Sequence, residues 1–225
     1  MPDPVRAVGA KLLVEVWSDV MCPFCVLGKH RFAQALARFP YRDDVEVVWK
    51  SFQLDPTLRA DSPMTINEYL ASRKGIDPRQ AAAMNDRLTR AGAQEGIVYH
   101  FDRAIVANTF DAHRLLHLAR DLGKQNEAAE RLFAAYFSEG LDVADHSVLA
   151  QIGRDVGLDS ALVTATLASD RCADAVRADI AEARELGIDG VPFFVLDRKF
   201  AVSGAQDAAL FLQALEQAKQ GLDLA

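Results

Sequence analysis

The sequence predicts an α/β fold in which a small sheet is interrupted by a large all-α insertion. Strand-like patterns occur only toward the two ends of the chain, and more than 100 residues between them read as helix. Two strands alone are not stable in water, so the two ends are expected to share one sheet. The expected division is 1–55 plus 171–225 for the sheet-bearing part and 56–170 for the inserted helical part.

Residues 11–17 (KLLVEVW) read as a short, mostly buried strand. From 23 to 37 the apolar spacing turns helical, with Phe24, Leu27, Phe32, Ala35 and Leu36 on neighbouring turns. Pro23 suits a first turn, where its missing N–H costs nothing, and Pro40 discourages continuation. Residues 45–52 (VEVVWKSF) are β-branched and aromatic, a second strand. Strand, helix, strand over about 40 residues makes a parallel βαβ unit. Helices follow. Thr65 with Glu68 forms a capping box and Asp77 precedes Pro78 at a second start. Asn108 with Asp111 opens a helix that runs to Leu122 and stops at Gly123. Others span 126–139, 146–156 and 160–168, with Gly140 and Gly157 as stops, and 173–186 ends at Gly187. Strands at 193–196 and 199–203 flank an Asp197–Arg198 turn, a hairpin. The closing helix, 205–219, points Ala209, Leu212 and Leu215 at the core.

A chain of 225 residues, half apolar, can bury roughly 70% of its unfolded surface, which suffices for a core without staples. The net charge is −7 and is spread evenly. Acids and bases number seven and seven over 1–55, sixteen and twelve over 56–170, and nine and six over 171–225. Without a polybasic patch, a nucleic-acid partner is not expected. No uninterrupted apolar run approaches 18 residues, and Glu15 and Asp19 break the first strand region, so neither a membrane span nor a retained signal peptide is expected. Three cysteines are too few for a secreted disulfide framework, and cytoplasm is the default. Nothing in the sequence fixes an oligomeric state.

The pair Cys22–Cys25 needs an explanation. A structural zinc ion wants a second close pair of ligands, and the remaining cysteine, Cys172, lies far along the chain. His113 and His117 stand one helical turn apart but fit ordinary helix positions, so no metal is assigned. Redox use fits better. The pair lies where a strand ends and a helix begins, so unpaired N–H groups and the helix dipole can stabilise a thiolate on Cys22. Cys25, one turn further in, is shielded. An exposed attacking sulfur beside a protected resolving one is what thiol–disulfide exchange requires.

The chain resembles the DsbA-like thioredoxin-fold oxidoreductases, and within them the FrnE-type branch. The residues that carry this resemblance are the SDxxCPxC opening at 18–25, WKSFQLDP at 49–56, NTFDAHRL at 108–115 and GIDGVPFFV at 187–195. One departure is Phe24 in place of a Trp frequent in the family. The resemblance implies a thioredoxin-like fold with a large all-α insertion, and a cis peptide between Val191 and Pro192 set against the CxxC. It also implies a Val191 backbone available to an extended substrate, and a cleft faced by Asn108, His113 and Arg114 that holds a substrate carboxylate or thiol tripeptide. Read without it, those three are an N-cap and two surface residues. Trp17 and Phe24 are either the lining of an apolar substrate groove or core. Asp19 either influences thiol protonation or serves as a cap or solvent-facing acid. Glu15 is a buried proton-handling acid or, the reading favoured here, the exposed side of an edge strand. Cys172 reads as an inert thiol.

The expected activity is dithiol–disulfide exchange through Cys22 and Cys25 on protein or small-molecule disulfides, without a non-protein cofactor and with glutathione as a candidate redox partner. The alternative is a glutathione-dependent isomerase or transferase of the 2-hydroxychromene-2-carboxylate isomerase or kappa type, which resembles this chain in architecture but typically has Ser at the Cys22 position. A third reading, a non-catalytic binding or chaperone-like protein, leaves the cysteine pair unexplained.

Overall fold

The apolar strand β1, Leu12–Ser18, lies in the middle of a four-stranded sheet ordered β2-β1-β5-β6. The structure is a computed structural model that describes residues 11–59 and 64–223. Residues 1–10 and 224–225 of the expected sheet-bearing part, and 60–63 of the insertion, lie outside the described residues. Strand β2, Val45–Ser51, runs parallel to β1 from Leu12↔Val45 to Ser18↔Ser51, with α1, Pro23–Arg38, as the crossover. Strands β5, Phe193–Leu196, and β6, Phe200–Ser203, complete the sheet in antiparallel register. Both ends of the chain thus supply the sheet, and a large helical insertion separates β2 from β5. This is the thioredoxin-like architecture with an all-α insertion that the sequence predicts.

Side chains alternate along β1. Leu12, Val14 and Val16 are buried in the main core, where Phe32 of α1, Phe194 of β5 and Phe211 of the closing helix α9, Ala208–Asp223, meet in tilted and edge-to-face contacts. Trp17 points the other way, against Ala183 and Ile188. On the expected core face of the last helix, Leu215 is buried and Leu212 packs half-buried against the core, but Ala209 is exposed, and Phe211 and Ala218 complete the inward face.

Glu15 also needs correcting. It belongs to a central strand, paired with Val48 on one side and Val195 on the other, and it is only 4% exposed. Its carboxylate is met by Arg198 at 2.6 Å. Arg198 and Asp197 hold φ of 58° and 51°, the left-handed pair of a two-residue hairpin turn, and this aims the guanidinium back over the sheet. Burial raises the Glu15 pKa, and Arg198 opposes the rise only in part.

The insertion begins with a short pairing that the sequence did not suggest: β3, Met64–Thr65, against β4, Ile105–Val106. Between them lie α2, Ile66–Lys74, and α3, Pro78–Gln94. The capping box forms as expected, with Thr65 Oγ1 accepting from the Glu68 N–H and Glu68 accepting from the Thr65 N–H. Asp77 caps α3. Helix α4, Phe110–Asp121, starts after Thr109 rather than Asn108. Helix α5, Gln125–Phe133, passes into a π-helical stretch, Ala134–Glu139, that Gly140 closes at φ 70°. Helices α6, His146–Asp155, α7, Ser160–Leu167, and α8, Ala173–Glu185, follow. Among the described residues no helix is long and apolar enough to cross a membrane.

Helices α8 and α4 close over β2 through a buried polar knot. Asp179 of α8 accepts from the Ser51 N–H at 2.9 Å, lies 3.0 Å from His117 Nε2 and pairs with Lys50. Burial alone would raise the Asp179 pKa, but His117, Lys50 and the Ser51 N–H outweigh it and hold the carboxyl below its ordinary value. Its stabilising contribution is therefore complete above the unfolded value of about 3.9 and lost as pH falls through the lower folded value. Asp179→Asn should cost about 2 kcal/mol at pH 7, and the gap to the native protein should shrink as the solution is acidified below pH 4. Denaturant melts across pH check both.

Candidate active site

The turn between β1 and α1 places the dithiol. The Cys22 N–H donates to Asp19 O at 3.0 Å, and the Cys25 N–H donates to Cys22 O at 3.0 Å. Cys22 is the N-cap residue of α1, with extended backbone, and Pro23 occupies the first turn. Its thiol does not meet a first-turn N–H. It donates instead to the Val191 carbonyl at 3.4 Å. Val191–Pro192 is a cis peptide, immediately before β5. The chain therefore brings residue 191 across to residue 22, as the resemblance implied, and in the thiol form the Val191 carbonyl is already engaged.

Both sulfurs are recessed. Cys22 is 3% and Cys25 0% exposed, so the order is as expected but the Cys22 sulfur is not at the surface. All three cysteines are free thiols. Burial pushes the Cys25 thiol well above the usual range, and the adjacent Cys22 adds to the rise. Cys172 is the N-cap residue of α8; burial, then the charge of Asp121, raises its pKa.

Cys22 opens into an apolar cavity of about 270 Å³. Met21, Pro23, Phe24, Leu54, Val191 and Gly190 come from the sheet-bearing part. Ile66, Tyr69, Leu70, Lys74, Met84, Asn85, Leu88, Phe101, Val106 and Tyr136 come from the insertion. Phe24, 45% exposed, stands at this cavity and off the core face of α1. The other side chains nominated from sequence lie elsewhere. Trp17 is fully buried behind β1 and donates its indole N–H to Asp179 O at 3.0 Å. It is core. Asn108 accepts from Gln53 and from the Phe110 N–H and donates to Leu58 O, beside a separate depression lined by Gln53, Pro56 and Phe110.

His113 is buried and faces Asp19 at 3.5 Å, while the other Asp19 oxygen accepts from the Leu54 N–H at 2.7 Å. Asp19 is thus neither cap nor solvent-facing acid. It ties the segment after β2 to the turn that carries the dithiol. Arg114, 5% exposed, donates to the carbonyls of Thr166, Ser169 and Arg171 and to Asp111, and it does not line the Cys22 cavity.

The insertion's share of the cavity was missed from sequence. Helix α2 (INEYLASRK) carries a short i, i+3, i+4 set, Ile66, Tyr69 and Leu70, and reading that stripe would have marked Tyr69 as buried. Tyr136 sits in the π-helical stretch, where a 3.6-residue period misplaces every side chain.

Gly28 of α1 is the close contact that seats the 191–192 backbone. A Cβ there would lie 2.8 Å from Pro192 Cγ and 3.5 Å from the Phe194 ring. Gly28→Ala should cost about 1–3 kcal/mol, because the new Cβ meets the Pro192 ring. Equilibrium denaturation measures the effect.

A dithiol at the start of the helix that follows the central strand, with a proline loop packed on it, defines a thioredoxin-fold thiol–disulfide oxidoreductase. The sequence model of the DSBA-like thioredoxin domain matches residues 13–216, and the chain belongs to that family. A probable DsbA oxidoreductase from Streptomyces coelicolor is 44% identical, with a TM-score of 0.89 over 93% of this chain and 90% of that one. The uncharacterized protein YwbO of Bacillus subtilis is 28% identical over 92% of this chain and 98% of its own. A 2-hydroxychromene-2-carboxylate isomerase shares the fold at 15% identity and a TM-score of 0.68, over 95% of this chain and 99% of its own.

Proposed function

We propose that Cys22 is the attacking and Cys25 the resolving sulfur of a cytoplasmic oxidoreductase of the FrnE-type branch, acting on protein or small-thiol disulfides. The observation that carries the assignment of roles is the difference in access. Cys22 opens on the cavity, whereas Cys25 is sealed beneath it. Cys22 thiolate attacks a substrate disulfide R–S–S–R′, forms Cys22–S–S–R and releases R′–S⁻. Cys25 then loses its proton and attacks the Cys22 sulfur, closing Cys22–S–S–Cys25 and releasing R–S⁻. Once Cys22 has no S–H, the Val191 carbonyl is free to accept from a substrate N–H, and Phe24 and Pro192 flank that position.

In this reading 1–55 plus 171–225 carry the chemistry and 56–170 cover it. The motifs at 18–25, 49–56, 108–115 and 187–195 support the branch, the sparse cysteines support the cytoplasm, and glutathione is the proposed small-thiol partner. Two cysteines where an isomerase needs none leave the glutathione-dependent isomerase reading without support. The test is equilibration in glutathione redox buffers followed by peptide mapping. Cys22 and Cys25 should be lost together into one internal linkage while Cys172 stays alkylatable. Failure to form that linkage at any buffer ratio would sink the proposal.

A further inference from the structure

Ser18 ends β1 and opens the SDxxCPxC run. Leu12, Val14, Val16 and Ser18 alternate onto the face of β1 that α1 covers, whereas Trp17 points the other way. Three apolar side chains on that face are thus followed by a hydroxyl, where Cys25, the third residue of α1, is sealed against the strand. Packing alone would favour another valine, and a buried hydroxyl needs a partner. Cys25 is that partner. Burial, then the adjacent Cys22, raises the Cys25 thiol, and two hydrogen bonds act against the rise, one from the Ser18 side chain and one from the Asp19 backbone. Both groups are held in place. Ser18 pairs with Ser51 across the sheet, and its carbonyl accepts from the Phe52 N–H at 3.1 Å. Asp19 is fixed through its carboxylate, which accepts from the Leu54 N–H at 2.7 Å and faces His113.

We infer that the Ser18 hydroxyl and the Asp19 N–H form a two-donor seat that stabilises the Cys25 sulfur as a thiolate in the resolving step. The inference rests on the oxidoreductase reading and adds a residue to its second half. In the mixed disulfide Cys22 carries no charge, so burial is what opposes ionisation of Cys25, and hydrogen bonds to the charged form offset it. The ionisable neighbours are otherwise engaged. Tyr99 is kept neutral by burial and by the charges of Cys22 and Cys25, and it donates its hydroxyl to Pro23 O at 2.7 Å. Arg31 and Glu95 pair with each other at 2.6 Å.

The test follows resolution directly. Reduced full-length protein is mixed with excess 2-hydroxyethyl disulfide, quenched in acid at intervals and read by intact mass. The Cys22 thiolate attacks one sulfur, forms the mixed disulfide and releases one 2-mercaptoethanol. Cys25 then gives its proton to water and attacks the Cys22 sulfur, closing the internal disulfide. The second 2-mercaptoethanol leaves as a thiolate and takes a proton up. Ser18→Thr keeps a hydroxyl, Ser18→Val has nearly the same shape without one, and Ser18→Ala deletes it. A hydrogen bond to a charged group corresponds to about ten- to a hundred-fold in the Cys25 ionisation constant. A more basic thiolate attacks faster, so the net slowing of resolution near neutral pH should be about three- to ten-fold in Ser18→Val and Ser18→Ala. The rise of that rate with pH should move to higher pH in both, and Ser18→Thr should recover most of the loss. Structural damage would instead slow both branched variants alike, and adduct formation as much as resolution. If Ser18→Thr and Ser18→Val resolve equally fast relative to adduct formation, or Ser18→Ala keeps the native rate and pH profile, the inference is overturned and the oxidoreductase reading stands. If the native protein never closes the internal disulfide, both fall.

Discussion

Cys25→Ser protein exposed to oxidised glutathione or an oxidised protein should accumulate a covalent adduct on Cys22, whereas Cys22→Ser should accumulate almost none. The native dithiol clears its mixed disulfide because Cys25 lies one helical turn behind the attacked sulfur, and replacing Cys25 removes that route while leaving Cys22 on the cavity. Removing Cys22 leaves a thiol with no exposed surface and a pKa that burial holds well above the usual range, so little thiolate forms and nothing reaches it. The difference should be all-or-none on a non-reducing gel, with mass spectrometry locating the bond. Because Cys25 must lose a proton before it attacks, release of a pre-formed Cys22 adduct by the native dithiol should accelerate as pH rises. Equal adduct yields from the two single mutants would leave the roles unassigned, and adducts on Cys172 would move the reactive centre off the motif.

The dithiol was legible because its chemistry is local. A strand pattern, then Cys-Pro-Phe-Cys, then a helical period place both sulfurs from eight consecutive residues, and the supporting turn needs only neighbours. The sheet was legible for a related reason: four short apolar runs with period two, too few at either end to fold alone, have one way to be satisfied. Side-chain environments set by long-range packing were not legible. Glu15 looks like a solvent-facing residue because alternation along one strand does not say whether that strand is central, and only the return of the hairpin from residue 193 puts Val195 and Arg198 beside it. The proline loop lay between these cases. Sequence gave a proline before a strand, and resemblance, rather than spacing, set it against Cys22.

Arg114→Ala should destabilise the fold by about 3–5 kcal/mol, which for a domain of this size lowers the melting temperature on the order of 10 °C. At temperatures well below that transition, Cys22 should still react with 2-hydroxyethyl disulfide at nearly the native rate. The resemblance had placed Arg114 with substrate, and its long polar side chain on a helix reads naturally as a surface binder. The structure gives its guanidinium other work. Three backbone carbonyls, from Thr166, Ser169 and Arg171, turn inward where α7 ends and α8 begins, and Arg114 of α4 donates to all three while also pairing with Asp111. Truncation strips those buried acceptors of their charged donor, which costs the desolvation of each as well as the lost bonds. It also loosens the start of α8, the helix that carries Asp179 to β2. Arg114→Lys separates geometry from charge, because a single ammonium cannot reach three carbonyls in a fixed fork and should recover only part of the loss. A binding role predicts the opposite pattern, with the melting temperature near native and the rate against a carboxylate-bearing disulfide reduced for both substitutions. Thermal denaturation with single-turnover kinetics on the same samples decides between them.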